Sequence, residues 1–159
     1  MNNLKFNVYC NEIYGVTHDP QSGEYAIVIA FQNGGNLREL IKKNYSILNW
    51  SLIISNLTDI GDGLKQIHHK NYHHKDFHSG NILNKIQSDD SNFIRSVISD
   101  FGLCCPANKS AEDKTLYGVL PFVAPEVLRG KEFTEAADIY NFGMLMSEII
   151  SGEAGTYKN

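Results

Sequence analysis

The sequence contains few cysteines, no long apolar run and no excess of positive charge, and each absence excludes a class of protein. Only three of the 159 residues are cysteine, and because Cys104 and Cys105 are adjacent they do not form a disulfide framework. No window approaches the roughly 18 apolar residues of a membrane span, and the N-terminal residues lack the apolar run of a signal peptide. The 14 basic and 18 acidic side chains offer no basic footprint for nucleic acid and no basic anchor for a membrane. These absences predict a soluble protein of the cytoplasm or nucleus, without nucleic acid or membrane as a partner.

The most informative stretch is residues 74–81, which read HKDFHSGN. It places Asp76 and Asn81 five residues apart on what we expect to be one loop. Such a pair can divide a task, because the carboxylate accepts a proton from a hydroxyl nucleophile while the amide oxygen holds a divalent metal ion. The stretch therefore predicts a hydroxyl-activating site beside a metal.

Three further motifs follow this stretch in a fixed order. They are DFG at residues 100–102, APE at residues 124–126 and DIYNFG at residues 138–143. Together with HKDFHSGN, they resemble the catalytic loop, the metal-binding DFG, the end of the activation segment and the start of the large C-lobe helix of protein kinases. The version DFHSGNIL at residues 76–83 is similar to the tyrosine-kinase-like group, including fungal-type kinase domains. The chain is thus identified as a member of the protein kinase superfamily.

The resemblance implies an α+β fold of the protein-kinase type, with a mainly helical C-lobe and a remnant of the N-lobe β-sheet. It makes residues 1–159 a partial kinase domain, with the end of the N-lobe at 1–31, the hinge at 32–37 and a truncated C-lobe at 38–159. The Gly-rich loop, the strand-three lysine, the helix-C glutamate and the last C-lobe helices have no counterpart in the printed sequence. We therefore expect the chain alone to have little or no activity.

The resemblance also implies the site. Asp76 would be the catalytic base, and Asn81 and Asp100 would hold Mg²⁺. His78 stands where many Ser/Thr kinases place a lysine that meets the transferred phosphate, so it is counted among the catalytic residues. Lys75 replaces the usual arginine, and a point charge pairs less well with a phosphate than the planar guanidinium does.

ATP is the cofactor that the resemblance implies beside Mg²⁺, and a protein is the implied substrate. The residues implied to contact the nucleotide are Ile29 as gatekeeper, Ala30 through its carbonyl, Gln32 through its backbone N–H, Asn36 beside the ribose, Leu83 under the adenine and Asp100 through the metal.

The function so implied is transfer of the ATP γ-phosphate to a Ser, Thr or Tyr hydroxyl of a protein, in signalling. An alternative is a catalytically inactive kinase-like module that binds another protein. A small-molecule phosphotransferase would explain HKDFHSGN but not the APE motif or residues 138–143.

The local patterns predict a hairpin first. Residues 13–17 and 24–31 read as two strands around a Pro/Gly turn, and the second run is apolar throughout, as is typical of a strand covered on both faces. Residues 81–84 and 97–99 read as two short strands that flank a polar hairpin at 87–92.

Two helices are also predicted. Residues 48–70 carry one apolar face, formed by Ile53, Leu57, Ile60, Leu64 and Ile67. Gly61 and Gly63 lie within it, which indicates close packing against a neighbour. A second helix begins at a Thr134 cap and ends at residues 151–152. Its predicted apolar positions are Ile139, Phe142, Met146, Ile149 and Ile150.

Five histidines between residues 68 and 78 suggest a metal site, but they lack the spacing and the additional ligands of a zinc centre. We therefore expect His74 to be a buried residue of the catalytic loop, and His68 and His69 to be a solvated helix end. The hydroxyls of Ser110, Thr115 and Tyr117 are candidate phosphorylation sites.

Overall fold

A computed structural model describes residues 8–86, 94–107 and 119–153. It contains strands β1 (Ile13–His18), β2 (Tyr25–Ile29), β3 (Tyr72–His73), β4 (Ile82–Ile86), β5 (Ile94–Ile98) and β6 (Cys105–Pro106), and helices α1 (Leu37–Asn44), α2 (Trp50–His69), α3 (Pro125–Leu128) and α4 (Glu135–Ser151). In the described residues the strands form three antiparallel pairs, β1 with β2, β3 with β6 and β4 with β5. This arrangement confirms the α+β class.

Helix α2 forms the centre of the core. Asn49 begins it, because its side-chain oxygen accepts the backbone N–H of Leu52 at 3.0 Å. The predicted apolar face is confirmed, since Ile60, Leu64 and Ile67 are fully buried. This face packs against β5 and α4, so α2 supports both the strand that precedes residue 100 and the helix that follows the APE motif.

The β1–β2 hairpin is more exposed than its sequence predicts. Ile27 is 61 % exposed and Val28 is 43 % exposed, so the prediction that β2 is covered on both faces is wrong. Within the described residues the two strands pair only with each other. The apolar side chains of β2 therefore face solvent in the part of the chain that the structure describes.

Helix α4 has the predicted extent, but its buried face differs from the prediction. Asp138 and Leu145 are fully buried, whereas Ile139 and Ile150, which were predicted to be apolar contacts, are 54 % and 47 % exposed. A polar residue takes the buried position because it has hydrogen-bond partners in the interior. At the start of the helix, Thr134 makes no side-chain capping hydrogen bond.

Strands β4 and β5 confirm the two predicted short strands with longer bounds, and Ile82 faces Ile98. No local pattern predicts the two-residue pair β3–β6, which joins the segments before residue 74 and after residue 104. The predicted polar hairpin at 87–92 lies outside the described residues apart from the strands that flank it. The candidate phosphorylation sites Ser110, Thr115 and Tyr117 also lie outside them.

The cysteines are free, as predicted. Burial raises the pKa of Cys10 and that of Cys104 to about 12, so both are protonated thiols at neutral pH. None of the helices in the described ranges is long and apolar enough to cross a membrane.

Candidate active site

The loop between β3 and β4 is fastened to the interior through His74. This side chain is fully buried, and burial lowers its pKa, so the ring is neutral. Nε2 lies 3.1 Å from the carbonyl oxygen of Ser99, and Nδ1 accepts the backbone N–H of Asp76 at 3.3 Å. The tautomer with the proton on Nε2 satisfies both contacts. His74 therefore joins the loop to the residue that precedes Asp100.

Asp138 of α4 holds the same loop from the other side. Its two carboxylate oxygens accept the backbone N–H groups of His74 at 2.9 Å and of Lys75 at 3.1 Å. Lys75 has a φ of +68°, a left-handed conformation that costs free energy in a residue with a side chain. The hydrogen bonds to Asp138 help to offset this cost.

Asp76 is partly buried and surrounded by donors. Asn81 Nδ2 donates to the Asp76 backbone oxygen at 2.8 Å and to its Oδ2 at 3.0 Å, and His78 Nε2 lies 3.5 Å from Oδ1. The approach of His78 is the largest cause that holds the pKa of the Asp76 carboxyl below its usual range; burial opposes it, and the Asn81 N–H adds to it. The carboxyl is therefore ionised at neutral pH. The structure brings together all three residues predicted to be catalytic.

The orientation of His78 is set by Gly80. The backbone N–H of Gly80 donates to His78 Nδ1 at 3.0 Å, so in this geometry Nδ1 carries no proton and Nε2–H faces Asp76. A Cβ on residue 80 would lie 2.8 Å from His78 Cε1. Only glycine allows the imidazole to lie this close to the backbone.

Asp100 follows directly after a residue that is hydrogen-bonded to the loop. The backbone N–H of Ser99 donates to the Asn81 backbone oxygen at 2.8 Å. Asp100 is exposed, has a φ of +59° and accepts the Gly102 N–H through Oδ1 at 3.2 Å. Because the Asn81 amide nitrogen faces Asp76, its side-chain oxygen is turned the other way. An amide oxygen and a carboxylate are ligands that suit Mg²⁺, which usually keeps few protein ligands and binds phosphates and water as well. In the described ranges, no cluster of three or more His, Cys, Asp or Glu side chains forms a metal site.

The loop between β2 and α1, which contains the predicted hinge, lies against β4. The N–H of Gly34 donates to the Asn84 oxygen at 2.8 Å, and the N–H of Asn84 donates to the Gly35 oxygen at 2.8 Å. A Cβ on Gly34 would lie 2.7 Å from the same Asn84 oxygen, so this position requires glycine. Asn36 and Leu83, both predicted to contact the nucleotide, are bridge partners at this junction. The Asn36 side-chain oxygen accepts the N–H of Glu39 and begins α1.

The other predicted nucleotide contacts lie at the end of β2 and just beyond it. Ile29 is the last residue of β2. The Ala30 carbonyl accepts a hydrogen bond from Asn11 Nδ2 at 3.1 Å, and Gln32 Nε2 donates to Asn11 Oδ1 at 2.8 Å. Ala30 and Gln32 are therefore hydrogen-bonded to Asn11, a residue that sequence reasoning missed because nothing in its local pattern marks it.

His68 does not lie in a solvated helix end, and that prediction is wrong. Its Nε2 lies 2.9 Å from Asp138 Oδ2, and its side chain is only 10 % exposed. His68 lies in the last turn of α2 but faces Asp138 of α4, whereas the next residue, His69, is exposed as predicted.

Comparison with known proteins agrees with this geometry. The family model for protein tyrosine and serine/threonine kinases matches residues 1–159. Dual specificity protein kinase zakA of Dictyostelium discoideum is 30 % identical over 145 residues, which are 86 % of this chain and 18 % of that protein. Dual specificity testis-specific protein kinase 2 of Homo sapiens is 34 % identical over 132 residues, or 81 % of this chain and 22 % of that protein. Probable serine/threonine-protein kinase roco8 of Dictyostelium discoideum is 33 % identical over 131 residues, which are 78 % of this chain and 7 % of that protein.

The chain thus spans less than a quarter of the length of these relatives. The family model nevertheless covers every residue of it, including the loop and the metal-ligand candidates described above. The chain belongs to the protein tyrosine and serine/threonine kinase family.

Proposed function

We propose that this chain carries the catalytic centre of a protein kinase that transfers the γ-phosphate of ATP to a Ser, Thr or Tyr hydroxyl of a protein. The observation that carries the proposal is the setting of Asp76. Its ionised carboxylate lies between Asn81 and His78 on a loop that Asp138 and His74 fasten to the core. Phosphoryl transfer asks a protein mainly for positioning and charge stabilisation, and this loop supplies a positioned carboxylate.

Asp76 acts as the general base in this proposal. It accepts the proton of the substrate hydroxyl as the oxygen attacks the γ-phosphate. The donors around it lower its basicity, but they also hold the carboxylate in one orientation. A fixed base that is already ionised needs no reorganisation when the hydroxyl arrives.

Asn81 and Asp100 would hold Mg²⁺, which when bound neutralises charge on the phosphate oxygens. What this chain supplies is the arrangement of those two oxygen donors. The double hydrogen bond from Asn81 Nδ2 to Asp76 presents the Asn81 side-chain oxygen away from the base. The hydrogen bond from Ser99 to the Asn81 backbone brings Asp100 to the same end of the loop.

The junction of the β2–α1 loop with β4 is the proposed nucleotide edge. Leu83 would pack under the base, Asn36 would meet the ribose through its side-chain nitrogen, and Ile29 would close the inner end. The support is that Asn36 and Leu83 are bridge partners and that glycine at position 34 lets the two segments approach. Ala30 and Gln32 would present backbone groups to the base.

We also place the protein in the cytoplasm or nucleus and expect a protein substrate. The support for the compartment is that all three cysteines are free thiols, which is typical of reducing compartments.

Mg²⁺-dependent ATP binding and phosphate transfer together test the proposal. Isothermal titration calorimetry should show ATP binding by the chain in Mg²⁺ that Asp100→Asn weakens about tenfold or more and that Asp19→Asn, a change on the remote β1–β2 turn, leaves unchanged. Transfer of ³²P from ATP to a mixture of protein substrates, which we expect to be weak for the chain alone, should fall to background in Asp76→Asn while ATP binding persists.

The absence of Mg²⁺-dependent ATP binding would overturn the proposal. Equal transfer by Asp76→Asn and by the unchanged chain would remove Asp76 from its role. Nucleotide binding without any transfer would favour the alternative of a kinase-like binding module.

A further inference from the structure

Asn11 is hydrogen-bonded to three residues that lie in two other segments of the chain. It is only 4 % exposed. Its backbone N–H donates to the oxygen of Ile98, the last residue of β5, at 2.7 Å. Its side chain bonds to Ala30 and Gln32, 19 and 21 residues further along the chain. A buried amide with this many partners is fixed in position.

The orientation of the Asn11 amide follows from the chemistry of its partners. The Ala30 carbonyl can only accept, so Asn11 must turn Nδ2 toward it, at 3.1 Å. This leaves Oδ1 to accept from Gln32 Nε2 at 2.8 Å. The remaining Gln32 oxygen, Oε1, is buried without a hydrogen-bond partner in the described part of the chain. The two side-chain amides therefore donate in one direction, from Gln32 to Asn11 and from Asn11 to the Ala30 carbonyl.

Both backbone groups of Ala30 are engaged on the same side. Its N–H donates to the Glu12 oxygen at 2.8 Å, and its carbonyl accepts from Asn11. The Ala30 carbonyl therefore keeps a donor on one of its two lone pairs, whether or not a ligand offers another. An exocyclic amino group of a bound base would thus meet a carbonyl oxygen that already accepts one hydrogen bond, from Asn11.

We propose that Asn11 is a specificity-determining residue that weakens the preference of this nucleotide cleft for a purine with a 6-amino group, because its side-chain amide holds the Ala30 carbonyl. The inference rests on the proposed ATP-binding function and on Ala30 belonging to the base edge. A base without the amino group loses little binding free energy in this cleft, because the Ala30 carbonyl remains hydrogen-bonded to Asn11 in either case.

The test compares ATP with purine riboside triphosphate, which carries hydrogen in place of the 6-amino group. Calorimetric dissociation constants in Mg²⁺ should agree within about threefold for the unchanged chain, less than one neutral hydrogen bond is worth. In Asn11→Leu, a change of similar size and shape, the carbonyl loses its donor. ATP should then bind about tenfold more tightly than the analogue, because only the amino group satisfies a carbonyl left unpaired.

Asn56→Leu is the matched control. Asn56 is as deeply buried as Asn11 but lies in α2, and its side chain has no hydrogen-bond partner in the described residues. In this variant the ratio of the dissociation constants of ATP and the analogue should equal that of the unchanged chain. An Asn11→Leu ratio equal to that of Asn56→Leu would overturn the inference while leaving the proposed function intact. If neither the unchanged chain nor the control binds either nucleotide, the proposed function fails and the inference fails with it.

A second measurement on the unchanged chain does not depend on the folding of a variant. The ¹⁵N–¹H resonances of the Asn11 side-chain amide report its hydrogen bond to Ala30. ATP and the analogue should shift these resonances equally, because Asn11 keeps the carbonyl in both complexes. A shift with ATP alone would show that the amino group takes the carbonyl, and it would overturn the inference.

Discussion

His68 and Asp138 form a buried pair in which the imidazole Nε2 lies 2.9 Å from the carboxylate Oδ2. Asp138 also accepts the backbone N–H groups of His74 and Lys75. One carboxylate on α4 therefore joins the end of α2 to the loop that carries Asp76. Because Asp138 has no exposed surface, its hydrogen-bonding needs must be met by these protein donors.

Replacing Asp138 with Ala should lower the free energy of unfolding by about 3 kcal/mol, because it leaves two buried backbone N–H groups and His68 without their acceptor. Urea denaturation followed by circular dichroism measures this change. His68→Ala should cost less, since Asp138 keeps its two backbone donors. Glu132→Ala, at an exposed position before α4, is the control and should stay within about 0.5 kcal/mol. If Asp138→Ala lowered the free energy of unfolding by less than His68→Ala does, the role given to the carboxylate would be wrong.

Two glycines of α2 should respond in opposite ways to alanine. A Cβ on Gly63 would lie 2.8 Å from Ile98 Cδ1 and 3.1 Å from the Tyr9 backbone oxygen, whereas a Cβ on Gly61 would lie 3.6 Å from Phe142 Cζ. Gly63→Ala should therefore destabilise the fold by about 1–3 kcal/mol through overpacking. Gly61→Ala should stabilise it by up to about 1 kcal/mol, since alanine favours the helix. Urea midpoints that move in the same direction for both variants would contradict this account.

The sequence predicts α2 and the position of the catalytic loop well because their signals are local. Apolar residues that recur along one helix face report burial directly, and the confirmed face of α2 shows this. The same reasoning fails for β2, whose apolar residues predict a covering layer that is absent from the described residues. It fails again at α4, where buried Asp138 interrupts the apolar pattern because its partners lie elsewhere in the chain.

In the candidate site, too, the sequence predicts the local contacts and misses the distant ones. Asp76, His78 and Asn81 are neighbours in sequence, and their meeting follows from the motif. His68 and Asn11 find their partners 70 and 19 residues away, so no short pattern predicts their contacts. Hydrogen bonds across such separations depend on how the elements pack, which composition and periodicity do not report.

The buried side chain of Asn56 predicts a stabilising substitution. Neither its Nδ2 nor its Oδ1 has a hydrogen-bond partner in the described residues, so the folded state bears the cost of removing both from water. Asn56→Leu should raise the free energy of unfolding by about 1 kcal/mol. Asn84→Leu is the matched contrast, because Asn84 Oδ1 accepts the Ser96 hydroxyl at 3.0 Å, and it should lower stability by about 1–3 kcal/mol. Thermal unfolding of the two variants side by side measures the difference, and a loss of stability in Asn56→Leu would contradict it.

Asp59 and Asp76 should give stability changes of opposite sign, and both changes should disappear in acid. Burial raises the pKa of Asp59 above its ordinary 3.8, and Arg95 only partly offsets this. The neighbouring His78 holds the pKa of Asp76 below 3.8. At pH 7 an ionised Asp59 therefore disfavours the folded state and an ionised Asp76 favours it, so Asp59→Asn should stabilise the fold and Asp76→Asn should destabilise it. The stabilisation by Asp59→Asn decreases as pH falls through the raised folded pKa of Asp59 to 3.8. The destabilisation by Asp76→Asn begins to decrease only near 3.8 and is lost as pH falls through the lower folded pKa of Asp76. Urea midpoints of both variants between pH 7 and pH 3 measure these shifts, and changes of the same sign at pH 7 would show that the surroundings of one carboxyl are misassigned.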